Sequence, residues 1–215
     1  MPSRFDVFMP LEIGFERRVQ LAAEIVDGVT LLPVRGGIVV TAPGMLRRPV
    51  RNASGFYVWL EEAGRQAEEI RVDASRTPYQ DGRADPVLPP DHSRIELAPR
   101  AGYPFPQGAT ALRGTIRASG FGPPEAVADA TVRLQWARDL DWVDSPLAST
   151  SDASGGFAAV LRLDAMAEPR PIAGGIAVRL RVTRGGVTRT SAERPLRQGA
   201  VSTETTPFIW DELHS

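Results

Sequence analysis

Asn52-Ala53-Ser54-Gly55-Phe56 recurs a hundred residues later as Asp152-Ala153-Ser154-Gly155-Gly156-Phe157. Each copy lies between stretches of alternating apolar residues. A repeat of this kind implies two copies of one structural unit. The repeated piece has the chemistry of a turn. Asn or Asp accepts a hydrogen bond from its own backbone two residues on and tolerates left-handed φ, while glycine supplies positive φ without steric cost. The aromatic that follows, Phe56 or Phe157, is then expected to open a strand and drop into the core.

Outward from the turns, alternation is clearest in the second half. Ala130, Val132, Leu134 and Trp136 share one face against Thr131, Arg133 and Gln135. Ile176, Val178, Leu180 and Val182 oppose Ala177, Arg179 and Arg181, and Phe157, Ala159, Leu161 and Leu163 line up likewise. Period-two patterning means strands with one buried face, as antiparallel sheets with one wet side require. The first half is looser. Val19, Leu21, Ala23 and Ile25 alternate, although 15–26 also has the composition of a helix. The repeat decides for strand: Leu21–Ile25 precedes its turn as Leu112–Ile116 precedes the second. Pro33–Val39 is likewise echoed by Ala126–Val132. Phe56, Val58, Leu60, Ile70, Val72, Ile95 and Leu97 complete the expected first core, which leaves Trp59 pointing outward.

The expected fold is therefore all-β with little helix: two tandem antiparallel Greek-key sandwiches. The expected boundaries are an arm at 1–11, a first sandwich at 12–98, a connector at 99–109, a second sandwich at 110–202 and a tail at 203–215. Pro99, Pro104 and Pro106 make the connector stiff. Tyr103 and Phe105 are expected to pack at the junction, since a loose tether needs no aromatics.

Composition bounds the function. A length of 215 residues suits two domains, and the lack of cysteine excludes disulfides and thiolate metal sites. All 25 basic residues are arginine and the net charge is −1. A nearly neutral chain announces neither nucleic acid nor an anionic membrane as partner. The start, Met1 to Leu11, has no apolar signal core, and no apolar run approaches the ~20 residues of a membrane span. The expectation is a cytoplasmic protein, or one released in a particle by a route without a signal peptide.

The Leu-x-Gly-x-Ile of Leu112, Gly114 and Ile116, the small-residue strand Ala130–Val132, and Thr150–Phe157 together resemble the carboxypeptidase regulatory-like domain, a transthyretin-like sandwich. The resemblance covers 110–200 well and 17–98 more weakly, where Ala23 replaces the glycine and Gly37 stands where the second copy has Ala130. It implies a non-catalytic spacer, docking surface or shell component. The two-domain chain is also similar to accessory subunits of bacterial contractile, phage-tail-like injection particles. Enzymes of the same fold need several histidines, and this chain has His92 and His214 alone. The hydroxyisourate hydrolase ending is absent, and the tyrosine–histidine spacings of intradiol dioxygenases do not match.

No catalytic residues, cofactor or metal site are expected. Asp139, Asp141 and Asp144 cluster, but the glycine turn and closing glutamate of a calcium loop do not follow. Glu61-Glu62 and Glu68-Glu69 read as surface carboxylates, and His92 as a loop residue. The run from Arg170 to Arg197 is the strongest charge asymmetry, with Glu193 the single acid inside it. It is either the wet face of a sheet or a surface for an acidic partner. The interface candidates are Phe5, Phe8 and Leu11 in the first arm, Trp59, Trp142, Arg179 and Arg181, and Phe208, Ile209 and Trp210 in the tail. Exposed apolar tails cost free energy in water, so they fold back or bind a neighbour, for instance by strand addition. The functional expectation is a non-enzymatic structural or adaptor protein that binds other protein subunits, with no nucleic acid and no small-molecule ligand. The alternative is a carbohydrate-binding module that stacks sugars on its outward tryptophans.

Overall fold

The computed structural model describes residues 18–119, 125–163 and 166–214, so the arm at 1–11 lies outside the described residues. The first set of strands is β1 (Val19–Asp27), β2 (Val39–Thr41), β3 (Val50–Arg51), β4 (Tyr57–Leu60), β5 (Ile70–Asp73), β6 (Gly82–Ala84) and β7 (Ser93–Leu97). The second is β8 (Ala111–Arg117), β9 (Thr131–Arg138), β10 (Asp141–Asp144), β11 (Ser149–Thr150), β12 (Gly156–Val160), β13 (Pro171–Ile172), β14 (Gly175–Arg184), β15 (Val187–Thr190), β16 (Arg194–Leu196), β17 (Val201–Thr203) and β18 (Phe208–Ile209). A single 3-10 turn, Trp210–Glu212, is the helical element among the described residues. The fold is an all-β sandwich arrangement, with the stretch at 19–26 in strand as the repeat requires.

In the first set, the sheet β3-β4-β1-β7 faces the sheet β2-β5-β6. Leu21, Ile25, Trp59, Ile70, Val72 and Leu97 form the core between them. In the second, the sheet β12-β8-β17 faces a larger sheet whose spine is β10-β9-β14-β13. Its core includes Ile116, Leu134, Trp136, Phe157, Val178 and Leu180. Pairing is mostly antiparallel, with one repeated exception: a late strand of each set returns parallel to the first, β7 beside β1, and β17 and then β18 beside β8.

The two turns match bond for bond. Asn52 N–H donates to the Phe56 carbonyl and Gly55 N–H to the Asn52 carbonyl; Asp152 and Gly155 repeat both, with Gly156 as the acceptor in place of Phe56. The side chains agree: Asn52 Oδ1 accepts from Phe56 N–H, and Asp152 Oδ1 from Gly156 N–H, each at 2.9 Å. Further upstream, Val34 N–H donates to the Ile25 carbonyl as Val127 N–H donates to that of Ile116.

This register corrects the expected alignment by one residue. Phe56 corresponds to Gly156, so the counterpart of Phe157 is Tyr57. Strand pairing agrees: Ala23 lies opposite Tyr57 and Gly114 opposite Phe157, while Leu21 lies opposite Trp59 and Leu112 opposite Ala159. Trp59 is therefore on the inward face and 1% exposed, not outward as the sequence reading has it. The extra glycine in the second turn is no insertion; it takes the place that an aromatic fills in the first. Phe56 instead packs edge-on against His92, with centroids 4.9 Å apart. The Leu-x-Gly-x-Ile pattern also gains a physical reason. A Cβ on Gly114 would lie 3.1 Å from the Phe157 ring and 3.2 Å from that of Phe208. Glycine there lets two aromatics close over the strand. The first set carries Ala23 at that place and fills its core with Trp59 instead.

Candidate functional site

The outward face of the larger second sheet carries a connected cluster of charged side chains. The β9–β14 register sets Arg179 opposite Gln135 and Arg181 opposite Arg133. The β10 hairpin folds back to set Trp142 opposite Ala137 and Asp144 opposite Gln135. Cross-strand partners share a face, so these side chains converge. The Arg179 guanidinium lies over the Trp142 ring, 4.4 Å from its centroid, and its Nε donates to Gln135 Oε1 at 2.7 Å. Gln135 Nε2 donates to Asp144 Oδ1 at 2.7 Å, and Arg181 donates to Asp144 Oδ2 at 2.6 Å. Arg133 reaches the same oxygen at 4.0 Å. Two guanidinium groups thus share one carboxylate, and the third, Arg179, is linked to it through Gln135. Partial burial, then the Arg181 charge, lowers the Arg179 pKa, with Asp144 working the other way.

The acidic stretch at 139–144 is therefore a hairpin whose Asp144 is engaged by Arg181 and Gln135. Among the described residues, no group of three or more His, Asp or Glu is placed to hold a metal ion. His92 lies in the loop before β7, 3.9 Å from Glu24. Glu62 accepts from the N–H groups of Leu46 and Arg47 at 2.9 Å each. The Leu46 bond leads in lowering its pKa, so Glu62 anchors a loop.

The arginine run is better neutralised than its sequence suggests, because Asp144, Glu204 and Asp211 come from outside it to add to Glu193. Arg170 pairs with Glu193. Arg194 pairs with Glu204 at 2.7 Å and lies over the Phe208 ring. Arg189 donates to the Trp210 carbonyl at 2.7 Å and approaches Asp211 at 3.5 Å. The C-terminal tail is held by the same contacts. β18 pairs parallel with β8, and Phe208 and Trp210 are 7% and 8% exposed, packed on the second core with Ile209 half-buried between them. Of the tail candidates, two are thus consumed by their own domain. Phe5, Phe8 and Leu11 lie outside the described residues.

The joint between the sandwiches contains residues that pattern reading missed. Asp27, at the end of β1, is 6% exposed. Its Oδ2 accepts the Tyr103 hydroxyl at 2.5 Å and the Tyr79 hydroxyl at 3.2 Å, and its Oδ1 accepts Val29 N–H at 2.7 Å. Burial first, then the Asp27 charge, raises the Tyr79 pKa to about 12. Burial and the Asp27 hydrogen bond push Tyr103 further in the same direction. Gln80 and Thr150 exchange a reciprocal pair, Thr150 N–H to Oε1 at 2.9 Å and Nε2 to the Thr150 carbonyl at 2.8 Å. Arg162 pairs with Glu96 and donates to the Gly28 carbonyl at 3.2 Å. A Cβ on Gly28 would strike Leu147 at 2.8 Å. Tyr103 is buried against Phe105, ring centroids 4.9 Å apart, and Arg113 caps Phe105. Beside the joint runs a polar groove of 780 Å³, walled by Gln80, Asp81, Arg83 and Arg100 on one side and Asp129 and Asp152 on the other. Tyr103 was a visible signal in the sequence. Asp27, Tyr79, Gln80, Glu96 and Arg162 were not, because each meets a partner dozens of residues away.

These features define an all-β sandwich protein with a cross-braced joint and a charged outer sheet face. No protein-family model matches the sequence, and no curated protein matches it. Among solved structures the chain is similar to one described as "Structure of the Streptococcal ancillary pilin", at 10% identity and a TM-score of 0.24. That likeness covers 86% of this chain and 62% of the pilin, so the chain spans less than two thirds of the pilin's length. A likeness at this level carries no argument about function.

Proposed function

We propose that the protein is a non-enzymatic structural or adaptor subunit that binds other proteins within a larger bacterial assembly of the contractile, phage-tail-like injection kind, put together in the cytoplasm. Its units are two carboxypeptidase regulatory-like sandwiches at 12–98 and 110–202, set at a fixed spacing by 99–109. One observation carries this reading: the joint. Arg162 with Glu96 and the Gln80–Thr150 pair clamp the sandwiches directly, and Asp27 with Tyr79 holds Tyr103, and with it the connector, on the first sandwich. A chain that only tethered two binding modules would not need such bracing, whereas a spacer or adaptor does. The carbohydrate reading loses ground because Trp59 is in the core and one face of Trp142 is covered by Arg179.

Affinity-tagged protein expressed from its own locus provides the test. Co-purification with sheath, tube or baseplate subunits, encoded beside it, is the expected result. A monodisperse monomer with no co-purifying subunit, encoded within a polysaccharide-utilisation cluster, would overturn it.

A further inference from the structure

We infer that the outer sheet face bearing Arg133, Arg179 and Arg181 is a docking surface for an extended acidic segment of a partner protein, with carboxylates on alternate residues. The inference rests on the structural-subunit reading and names the chemistry of one contact within it.

Charge comes first. Arg133 and Arg181 share the Asp144 carboxylate, and Arg181 takes its nearer bond. Arg179 is bonded to a neutral amide, Gln135 Oε1, and not to an acid. The face therefore carries excess positive charge held close together, which an incoming anion relieves. Arg133 and Arg181 are each partly open to solvent, with side-chain exposures of 33% and 41%.

Geometry then narrows the partner. Arg179 and Arg181 are two residues apart on β14 and point the same way, about 6.6–6.8 Å apart along the strand. Arg133 stands directly across from Arg181. A partner in extended conformation repeats its side chains at the same two-residue interval, so alternate carboxylates meet successive arginines. A helix offers its carboxylates at three- and four-residue intervals on one face and does not match. Arginine's planar fork suits carboxylates, and the stack on Trp142 together with the Gln135 bond pre-orients Arg179. Asp144 is a built-in competitor: it occupies the arginines until a partner carboxylate displaces it.

The test uses the full chain and a synthetic peptide of alternating glutamate and threonine, followed by tryptophan fluorescence and calorimetry at low salt. Trp142 reports, since Arg179 covers its ring. The expected result is saturable binding that weakens as salt rises. Arg181→Gln and Arg133→Gln each weaken it at least several-fold with an unchanged melting temperature. Asp144→Asn strengthens it several-fold by removing the competitor. Trp142→Phe abolishes the optical signal but leaves the calorimetric one. A lysine–threonine peptide shows no binding. The inference is overturned if the glutamate peptide produces no heat, if Arg181→Gln binds it as the parent does, or if tripolyphosphate binds as tightly as the peptide, which would mark a general phosphate site. The outcomes also separate from the proposed function. A chain that enters its assembly unimpaired by Arg133→Gln/Arg181→Gln loses this contact alone. A chain that binds peptide but joins no assembly loses the structural-subunit reading.

Discussion

Gly55 and Gly155 hold the same place in the repeated turn, at φ +93° and +78°, yet alanine would meet different surroundings at each. At Gly55 the nearest atoms to a Cβ are 3.8 Å away, so Gly55→Ala bears the left-handed backbone cost alone, about 1–2 kcal/mol. At Gly155 a Cβ would stand 2.4 Å from the Ile116 carbonyl oxygen, a backbone atom that cannot swing aside. Gly155→Ala is expected to cost clearly more, upward of about 2 kcal/mol, and urea denaturation of the two variants compares them directly. The first residue of the turn gives a second contrast. Burial raises the Asp152 pKa, but hydrogen bonds from the Ser154 hydroxyl, Gly156 N–H and Ser154 N–H outweigh it, and the net shift is downward. A carboxyl with a depressed folded pKa contributes stability that is complete above its unfolded pKa, about 4, and lost as pH falls through the folded value. Asp152→Asn copies what Asn52 does in the first turn: it keeps the acceptor and removes the charge. Its stability is therefore expected to fall less than the parent's between pH 5 and pH 2. An identical acid profile for the two proteins would refute this account of the turn.

At the scale of strands, most of the fold was legible because its signal is periodic. β9 and β14 alternate along most of their length, β12 is apolar and buried throughout, and β1 reads as strand from its place before a repeated turn. What failed was the phase of β4. Over Phe56-Tyr57-Val58-Trp59-Leu60 every residue is apolar, so alternation cannot tell inside from outside. The alignment of Phe56 with Phe157 then chose the wrong face. Hydrogen bonding fixes the phase, since the turn's Asn52 binds the N–H of Phe56 and the next residue, Tyr57, faces Ala23. The consequence is measurable. Trp59→Ala is expected to cost about 3–5 kcal/mol as a core deletion, and Phe56→Ala distinctly less, since it removes a half-buried contact with His92. Chemical denaturation in which Phe56→Ala proves the costlier change would restore the original phase. The charged face of β9 and β14 was half legible for a similar reason. Alternation places Arg179 and Arg181 on the wet side, but their acid, Asp144, lies on a neighbouring strand that no local pattern connects to them.

For the molecule as a whole, the decisive contacts join distant parts of the chain, and the Asp27 cluster makes them sensitive to alkali. A phenol whose folded pKa stands above its unfolded value of about 10 contributes stability that is complete below pH 10 and is lost as pH rises through the folded value. For Tyr79 that value is about 12, and Tyr103 is shifted in the same direction. Ionising either phenol removes a donor from the Asp27 carboxylate and sets a second negative charge beside it. Among the braces of the joint, the Asp27 cluster is the one built on phenols, so it is the one that alkali opens. The distance between the two sandwiches, measured by small-angle scattering or by a pair of fluorescent labels, is therefore expected to hold constant from pH 7 to about 10 and to lengthen or broaden as pH approaches 12. Tyr103→Phe supplies the matching neutral-pH experiment. It withdraws one hydroxyl from a buried carboxylate, at an expected cost of about 1–3 kcal/mol, and should loosen the same distance while leaving each sandwich folded. The double variant Tyr79→Phe/Tyr103→Phe should be loose already at pH 7 and show a much smaller alkaline step. A parent protein whose inter-sandwich distance stays fixed up to pH 12, or a double variant that keeps the parent's full alkaline transition, would place the brace elsewhere, with Arg162 and Gln80 as the remaining clamps.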